Sequence, residues 1–228
     1  MITMEPAQNS RTEKPGIQKP GYDPMDEKQA RAFDETATTV FAPIYPVIAG
    51  QILERTKKRA GTALDIGCGP ALLAIALAKQ SDLRVFALDY SPMMLMIASE
   101  HIRASGLVKR VAPVFGDVHE IPFEDGTVDL VVSRGSWFFW DDLCNAFLEI
   151  HRILTPGGCA HIGGGFGNAT LKEQIFVTMR TRKPDWDNEV QGRFQRNNPE
   201  YIKNQFQKAG IHSYHLIQDE SGFWAVIR

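Results

Sequence analysis

A glycine-rich segment at residues 63–71 can offer backbone N–H groups to a ligand. An apolar run leads into Asp65, as in a short buried strand, and Gly67 and Gly69 follow at a spacing that suits a sharp turn. A second apolar run, residues 83–88, ends in Asp89. An acidic side chain at the end of the second strand is placed to accept both hydroxyls of a ribose. The pattern therefore predicts a nucleoside ligand.

The same segment disfavours a dinucleotide. The fingerprint G-x-G-x-x-G would place a third glycine at position 72, where this chain has Leu72. Pro70 suits the first position of a helix that continues through residues 71–78. Cys68 lies inside the turn and is interpreted as a small packed residue, because no neighbouring histidine offers a base that would make it a nucleophile.

The turn resembles the first motif of the class I, Rossmann-like S-adenosylmethionine (SAM) dependent methyltransferases, D/E-x-G-x-G-x-G. Asp65, Gly67 and Gly69 match this motif, and Ala71 replaces its last glycine. The run I-P-F-x-D-x-x-x-D at residues 121–129 is characteristic of the branch that methylates small molecules. The resemblance covers most of the chain and implies SAM as the cofactor and S-adenosylhomocysteine (SAH) as the product.

The resemblance also implies a set of cofactor-binding residues. Asp117, after the third strand, would accept a hydrogen bond from the exocyclic amine of adenine. The backbone N–H of Val118 would donate a hydrogen bond to a ring nitrogen of adenine. Asp89 would bind the ribose. The full expected set is Asp65, Gly67, Cys68, Gly69, Asp89, Tyr90, Met94, Gly116, Asp117, Val118, Ser133 and Arg134.

An aromatic run after the fourth strand predicts the acceptor pocket. Four successive aromatic residues cannot all face the core from one short loop, and in the family this loop borders the acceptor. Arg134 would pair with an anionic group of the acceptor or with the cofactor carboxylate. The glycine-rich residues 163–167 would form the opposite wall. The expected acceptor contacts are Trp137, Phe138, Trp140 and Phe166.

No catalytic residue is assigned from the sequence. No His/Asp or Cys/His pairing identifies a general base, so we expect transfer chiefly by proximity and alignment of an acceptor that is already nucleophilic. No metal site is expected, because the three cysteines form no C-x-x-C pair.

The composition of the chain disfavours two classes of partner, nucleic acids and membranes. The net charge of −2 and the absence of a run of five basic residues disfavour nucleic acid. No apolar stretch reaches the roughly 18 residues that span a bilayer, so no membrane partner is expected. We expect a cytoplasmic monomer or homodimer that acts on a small-molecule acceptor.

The elements that hold these residues predict an α/β fold. Alternating strands and helices indicate a doubly wound, three-layer sandwich with a seven-stranded, mostly parallel sheet, and the family pattern adds an antiparallel last strand inserted between two others. We expect a mobile tail at residues 1–24 and one domain at 25–228, in which an N-terminal helical cap (25–60) precedes the catalytic core (61–228).

The carboxyl-terminal part is expected to contain two helices and two strands. The helices are predicted at residues 171–181 and 199–209, separated by a polar stretch at 183–198. The strands are predicted at residues 211–218 and 222–227.

Two alternatives remain open. A module that binds SAM or another nucleoside without transferring a methyl group would share every cofactor motif. A methyltransferase of a protein substrate is also compatible. Methylation of a nucleic-acid base amine is disfavoured, because residues 133–136 read S-R-G-S in place of the N/D-P-P-Y/F motif.

Overall fold

The computed structural model describes residues 25–228 and contains one seven-stranded sheet flanked by helices. The strands are β1 (Ala60–Ile66), β2 (Asp82–Asp89), β3 (Val111–Phe115), β4 (Val128–Arg134), β5 (Leu154–Gly164), β6 (Tyr214–Asp219) and β7 (Gly222–Ile227). The helices are α1 (Glu27–Thr39), α2 (Ile44–Thr56), α3 (Leu72–Gln80), α4 (Pro92–Ala104), α5 (Leu143–Ile153), α6 (Ala169–Arg182), α7 (Trp186–Arg196) and α8 (Pro199–Lys208). A single 3₁₀ turn spans Trp137–Phe139.

The sheet order is β3-β2-β1-β4-β5-β7-β6. Strands β1 to β5 are parallel, whereas β7 runs antiparallel between β5 and β6. The predicted fold class is therefore confirmed, including the last strand inserted between two others. The expected tail at residues 1–24 lies outside the described residues.

Each face of the sheet has its own apolar core. On one face α2, α3 and α4 pack through residues such as Ile48, Leu77 and Ile102. On the other face α5 and α8 pack through residues such as Phe147 and Phe206, whose rings lie 4.5 Å apart. Helix α1 packs through Ala30 on α4, outside both cores. The two covered faces make the three layers that the alternating pattern predicts.

Three element boundaries differ from the sequence predictions. Helix α3 begins at Leu72, two residues after Pro70, because Ala71 has left-handed backbone angles (φ 61°) and cannot belong to the helix. The sequence predicts a fifth strand at residues 159–163, whereas β5 begins at Leu154, with an irregular register against β4 near Val128. The strand expected at 211–218 starts at Tyr214.

The polar stretch at residues 183–198 contains a helix that the sequence prediction missed. Helix α7 has only one fully buried residue, Val190, with Trp186 and Phe194 partly buried against the two cores. These three residues recur every fourth position, which is the helical signal that the polar composition obscured.

No single described helix is long and apolar enough to cross a membrane. Helices α1 and α2 together satisfy that test by length and composition only, as a pair bent by 73°.

A buried histidine makes stability depend on pH. His161 on β5 is 1% exposed, its ring lies 4.8 Å from that of Trp224, and neither ring nitrogen has a hydrogen-bond partner in the described structure. Burial, with a smaller contribution from the charge of Arg55, lowers the pKa of His161 to about 3. The folded protein therefore holds this ring neutral over a pH range in which the unfolded chain protonates it.

We predict that His161→Phe makes the variant relatively more stable in acid. The contribution of the neutral ring is present above pH 6.5 and is lost as the pH falls, because only the unfolded state binds the proton. The free energy of unfolding of the variant minus that of the wild type should increase by about 2 kcal/mol when the pH is lowered from 7 to 5. Urea unfolding at both pH values measures this gain. An equal difference between the two proteins at both pH values would contradict it.

Candidate functional site

A cavity of about 810 Å³ opens at the carboxyl ends of β1, β2, β4 and β5, under helices α1, α2, α6 and α7. This is the edge of a parallel sheet at which ligands bind. We call one end the glycine-turn half, lined by Gly67, Gly69, Asp89 and Asp117. We call the other end the aromatic half, lined by Phe41, Tyr45, Phe138, Phe166 and Trp186.

The turn between β1 and α3 places every second residue in the left-handed region. The φ angles of Gly67, Gly69 and Ala71 are 65°, 51° and 61°. A side chain at Gly67 would clash with Ser136, whose Oγ would lie 2.6 Å from an added Cβ. Gly67 is therefore required by contact with the loop after β4 as well as by its backbone angles, a reason that the sequence did not show.

Asp65 anchors the start of α3 from beneath the turn. Its Oδ2 accepts the N–H of Ala74 at 3.1 Å, and the residue is 2% exposed. Burial raises the pKa of Asp65 to about 8, and the nearby Asp89 charge adds to the effect. The carboxyl group is therefore mostly protonated at neutral pH, which reduces the cost of burying it.

Asp89 connects the ends of β1 and β2. Its Oδ2 accepts the N–H of Gly69 at 2.8 Å and its Oδ1 accepts the N–H of Ser91 at 2.9 Å. Burial raises the pKa of Asp89, while these two hydrogen bonds act in the opposite direction. Next to it, the ring of Tyr90 stacks on that of Phe115 at 5.6 Å.

Asp117 forms a hydrogen-bonded pair with a histidine that the sequence analysis did not select. Its Oδ1 accepts the backbone N–H of His119 at 2.9 Å and lies 2.6 Å from His119 Nδ1. Because His119 Nε2 accepts the N–H of Asp142 at 3.3 Å, the proton lies on Nδ1 and is donated to Asp117.

The structure contains this His/Asp pair and a second one, in which His101 Nε2 lies 2.7 Å from Asp34, and the sequence analysis selected neither. The spacing of His119, two residues after Asp117, was the available signal. Since both of its nitrogens are engaged, His119 orients Asp117 and is not placed to remove a proton.

The aromatic half surrounds the guanidinium group of Arg134. Its Nε and Nη2 donate to the carbonyl of Gly165 at 3.2 and 3.1 Å. The carbon of the guanidinium lies 5.1 Å from the ring centroid of Phe41, 5.8 Å from that of Phe166 and 5.9 Å from that of Tyr45. Desolvation lowers the pKa of Arg134 and raises the pKa of Tyr45, so Tyr45 stays protonated at neutral pH.

Most of the expected cofactor residues line the cavity, and one does not. Those that border it are Asp65, Gly67, Cys68, Gly69, Asp89, Tyr90, Met94, Gly116, Asp117, Val118 and Arg134. Ser133 is fully buried and lies outside the cavity wall, where its hydroxyl bonds that of Ser136. Burial raises the pKa of the free Cys68 thiol well above its ordinary value, consistent with a packed and unreactive cysteine.

Trp137 corrects the acceptor assignment. Phe138, Trp140 and Phe166 line the cavity as expected, but Trp137 is fully buried in the core, with its ring 5.4 Å from that of Phe223. The 3₁₀ turn directs this one indole inward. Phe139, next in the same turn, is 68% exposed and lies beneath Arg193 at 5.3 Å.

The glycines at the end of β5 and directly after it serve packing more than ligand approach. An added Cβ on Gly163 or Gly165 would collide with the backbone of the β6–β7 hairpin at Phe223 or Ser221. Gly164 faces the ring of Phe138, 3.1 Å from an added Cβ, and borders the cavity together with Gly165. The wall opposite the aromatic run is therefore formed chiefly by Phe166. The glycines allow the backbone of the β6–β7 hairpin to pack closely against this segment.

Within residues 25–228, no group of three or more His, Cys, Asp or Glu side chains is arranged to hold a metal ion.

The chain is similar to proteins described as methyltransferases. Residues 64–162 match the profile of a family described as a methyltransferase domain. A solved structure from Methanococcus maripaludis, described as a SAM-dependent methyltransferase, is 46% identical, with a TM-score of 0.87 over 93% of this chain and 96% of that one.

Two curated relatives carry different activities. Demethylmenaquinone methyltransferase of Lactobacillus johnsonii is 34% identical over 111 residues, which cover 47% of this chain and 46% of that protein. Mouse mitochondrial arginine-hydroxylase NDUFAF5 is 35% identical over 113 residues, which cover 49% of this chain and 30% of that protein. The matched stretch thus spans less than half of each curated relative.

We predict that Ala71→Gly stabilises the protein. An alanine in the left-handed region carries a steric cost of about 1 kcal/mol that glycine avoids, although glycine loses more entropy on folding. The free energy of unfolding, measured in urea, should therefore rise by up to about 1 kcal/mol.

Ala76→Gly in the body of α3 is the matched control, and there the same change should cost about 1 kcal/mol. Equal losses for both variants would show that residue 71 is not strained.

Proposed function

The chain belongs to the SAM-dependent methyltransferases, and we propose that it methylates a small molecule held in the aromatic half of the cavity. SAM supplies a methyl group on a sulfonium centre: a nucleophilic atom of the acceptor bonds to that carbon, the carbon–sulfur bond breaks and SAH leaves. The finding that carries the proposal is the continuous cavity that joins the glycine-turn half to the aromatic half.

The chemistry of the glycine-turn half fits the cofactor. Asp89 presents a carboxylate beside the turn, suited to the hydroxyls of a ribose. Asp117, oriented by His119, presents an acceptor suited to the amine of adenine. We assign the ribose to Asp89 and the adenine to Asp117. Both carboxylates also provide negative charge where a cationic cofactor enters.

The aromatic half fits a small acceptor. Its wall is built from Phe41, Phe138 and Phe166, which offer an apolar and shaped surface. The whole cavity, about 810 Å³, lies within the range of small-molecule pockets, roughly 300–1,000 Å³, and it has to hold the cofactor as well as the acceptor. This supports a small molecule over a protein segment as the acceptor.

Of the described residues that line the cavity, neither His119, Tyr45 nor Cys68 is poised as a general base. His119 is engaged at both nitrogens, burial raises the pKa of Tyr45, and burial raises that of the Cys68 thiol. We therefore propose that the protein accelerates transfer by holding the two reactants in line, which alone can supply about 7–11 kcal/mol of the barrier. An acceptor that is nucleophilic without losing a proton to the protein suits such a site.

We predict that the protein releases SAH with the low-mass fraction of a cell extract. The extract is divided by ultrafiltration, and each fraction is incubated with SAM and the protein while SAH is followed by mass spectrometry. The filtrate should support release, and the retained macromolecules should not. Release of SAH with the retained fraction alone would contradict the proposal and would indicate a macromolecular acceptor.

We predict that Asp89→Asn weakens SAH binding at least tenfold. Loss of a charge-assisted hydrogen bond to the ribose costs about 1.5–3 kcal/mol. Isothermal titration calorimetry measures the affinity, and circular dichroism checks the fold. Asp82→Asn, an exposed aspartate at the other end of β2, should bind as the wild type does. Equal affinities for wild type and Asp89→Asn would exclude Asp89 from the ribose site.

A further inference from the structure

The guanidinium group of Arg134 is partly buried among aromatic rings, yet it has no charged partner among the described residues. Among residues 25–228, no salt bridge includes Arg134, and its hydrogen bonds all go to one acceptor, the carbonyl of Gly165. The rings of Phe41, Tyr45 and Phe166 surround the rest of the group at cation–π distances. Removing a cation from water without an anion beside it costs free energy, so proteins normally pair such a cation with a carboxylate.

Arg152 shows how the same chain supports an arginine with a structural role. Its guanidinium bonds the carboxylates of Glu149 and Asp125 and the carbonyls of Ile121 and Phe123. Every side of that group has a protein acceptor, and two of the acceptors are charged. Arg134 lacks such a set, although it borders the cavity in which a ligand lies.

The described side chains around Arg134 include groups that can donate hydrogen bonds. The hydroxyl of Tyr45 forms no hydrogen bond with a described residue, and its ring faces the guanidinium. Trp186, whose ring lies 6.0 Å from that of Phe41, has a buried Nε1 without a partner. A ligand group that only accepts hydrogen bonds, such as a carboxylate, complements this set of donors.

The charged residues of the aromatic half also favour an anionic ligand group. Glu189 lies 2.6 Å from Lys183 and 3.8 Å from Arg193, and Asp141, which follows Trp140, also lines the cavity. With Arg134, these residues make three cations against two carboxylates. The glycine-turn half has the opposite sign, through Asp89 and Asp117. The cavity therefore suits a cation at one end and an anion at the other.

We propose that the methyl acceptor is an apolar or aromatic molecule with a carboxylate group, and that Arg134 is the residue that binds this carboxylate. The inference rests on the proposed function. The acceptor group meets the planar fork of Arg134 while its apolar body lies against Phe41 and Phe166. The carboxylate of the cofactor is the other source of the same chemistry, but Arg134 lies among residues of the aromatic half, where its guanidinium contacts the rings of Phe41, Tyr45 and Phe166.

The test uses matched pairs of probes that differ only in charge. Phenylacetate, 3-phenylpropionate and 2-naphthylacetate are each compared with the corresponding amide, by calorimetric titration of the protein saturated with SAH. For at least one pair, the wild type should bind the carboxylate at least tenfold more tightly than the amide. Equal binding within every pair, or no binding of any carboxylate, would overturn the proposal.

Three variants assign that preference to one residue. Arg134→Gln keeps an N–H donor for the Gly165 carbonyl but removes the charge, and should reduce the preference to less than twofold. Arg134→Lys keeps the charge without the planar fork and should keep an intermediate preference. Arg193→Gln, at the more exposed cation of the wall, is the control and should keep most of it. Retention of the full preference by Arg134→Gln would overturn the proposal. If the Gln variant does not fold, Arg134→Lys decides, since an unchanged preference there would also contradict a role for the fork.

A second titration separates the acceptor from the cofactor. SAH carries a carboxylate, whereas 5′-methylthioadenosine lacks the amino-acid part. The ratio of their affinities should be the same in wild type and Arg134→Gln. A tenfold loss for SAH alone would assign Arg134 to the cofactor and overturn the inference.

Turnover distinguishes this failure from failure of the proposed function. Release of SAH with an uncharged acceptor, at equal kcat/KM in wild type and Arg134→Gln, would refute the inference and leave the proposed function standing. A preference for carboxylates without SAH release from any fraction of the extract would support the inference about Arg134 and contradict the proposed function.

Discussion

The binding edge of the sheet depends on the carboxylate of Asp89. Its two oxygens accept the N–H groups of Gly69 and Ser91, so one side chain ties the turn after β1 to the start of α4. The turn needs this support, because Ala71 is held in a left-handed conformation that alanine disfavours. Burial opposes the charge of Asp89, and the two N–H donors stabilise it. Under the proposed function, the group that fixes the turn also provides the hydrogen-bond acceptor for the ribose.

From this edge the cavity extends into a region of different chemistry. Carboxylates dominate near the glycine turn, whereas Arg134 and aromatic rings dominate under α2 and α7. Under the proposed function, each reactant would occupy its own end and the two would meet where the halves join. Because His119 orients Asp117, the role that we propose for the cavity is to hold reactants in place rather than to move protons. The two curated relatives, which match this chain over only part of its length, are described with different activities.

The sequence predicted the strands, the turn and the acidic residues at strand ends, because these signals are local: apolar runs, glycines and carboxylates at fixed spacings. It could not predict which way Trp137 faces, since that depends on packing against Phe223, far along the chain. The contact of Gly67 with Ser136 is hidden for the same reason. His119 was a different kind of omission, because its spacing from Asp117 is local but only the fold shows that the two side chains meet.

The most direct test of the account follows the methyl group itself. The protein is incubated with SAM bearing a trideuterated methyl group and the low-mass fraction of a cell extract, and products are examined by mass spectrometry. The account predicts that the labelled methyl group appears in a low-mass compound, at a rate that saturates with the amount of extract. Label found only in macromolecules, or transferred to nothing although SAM binds, would contradict the claim that this cavity methylates a small molecule.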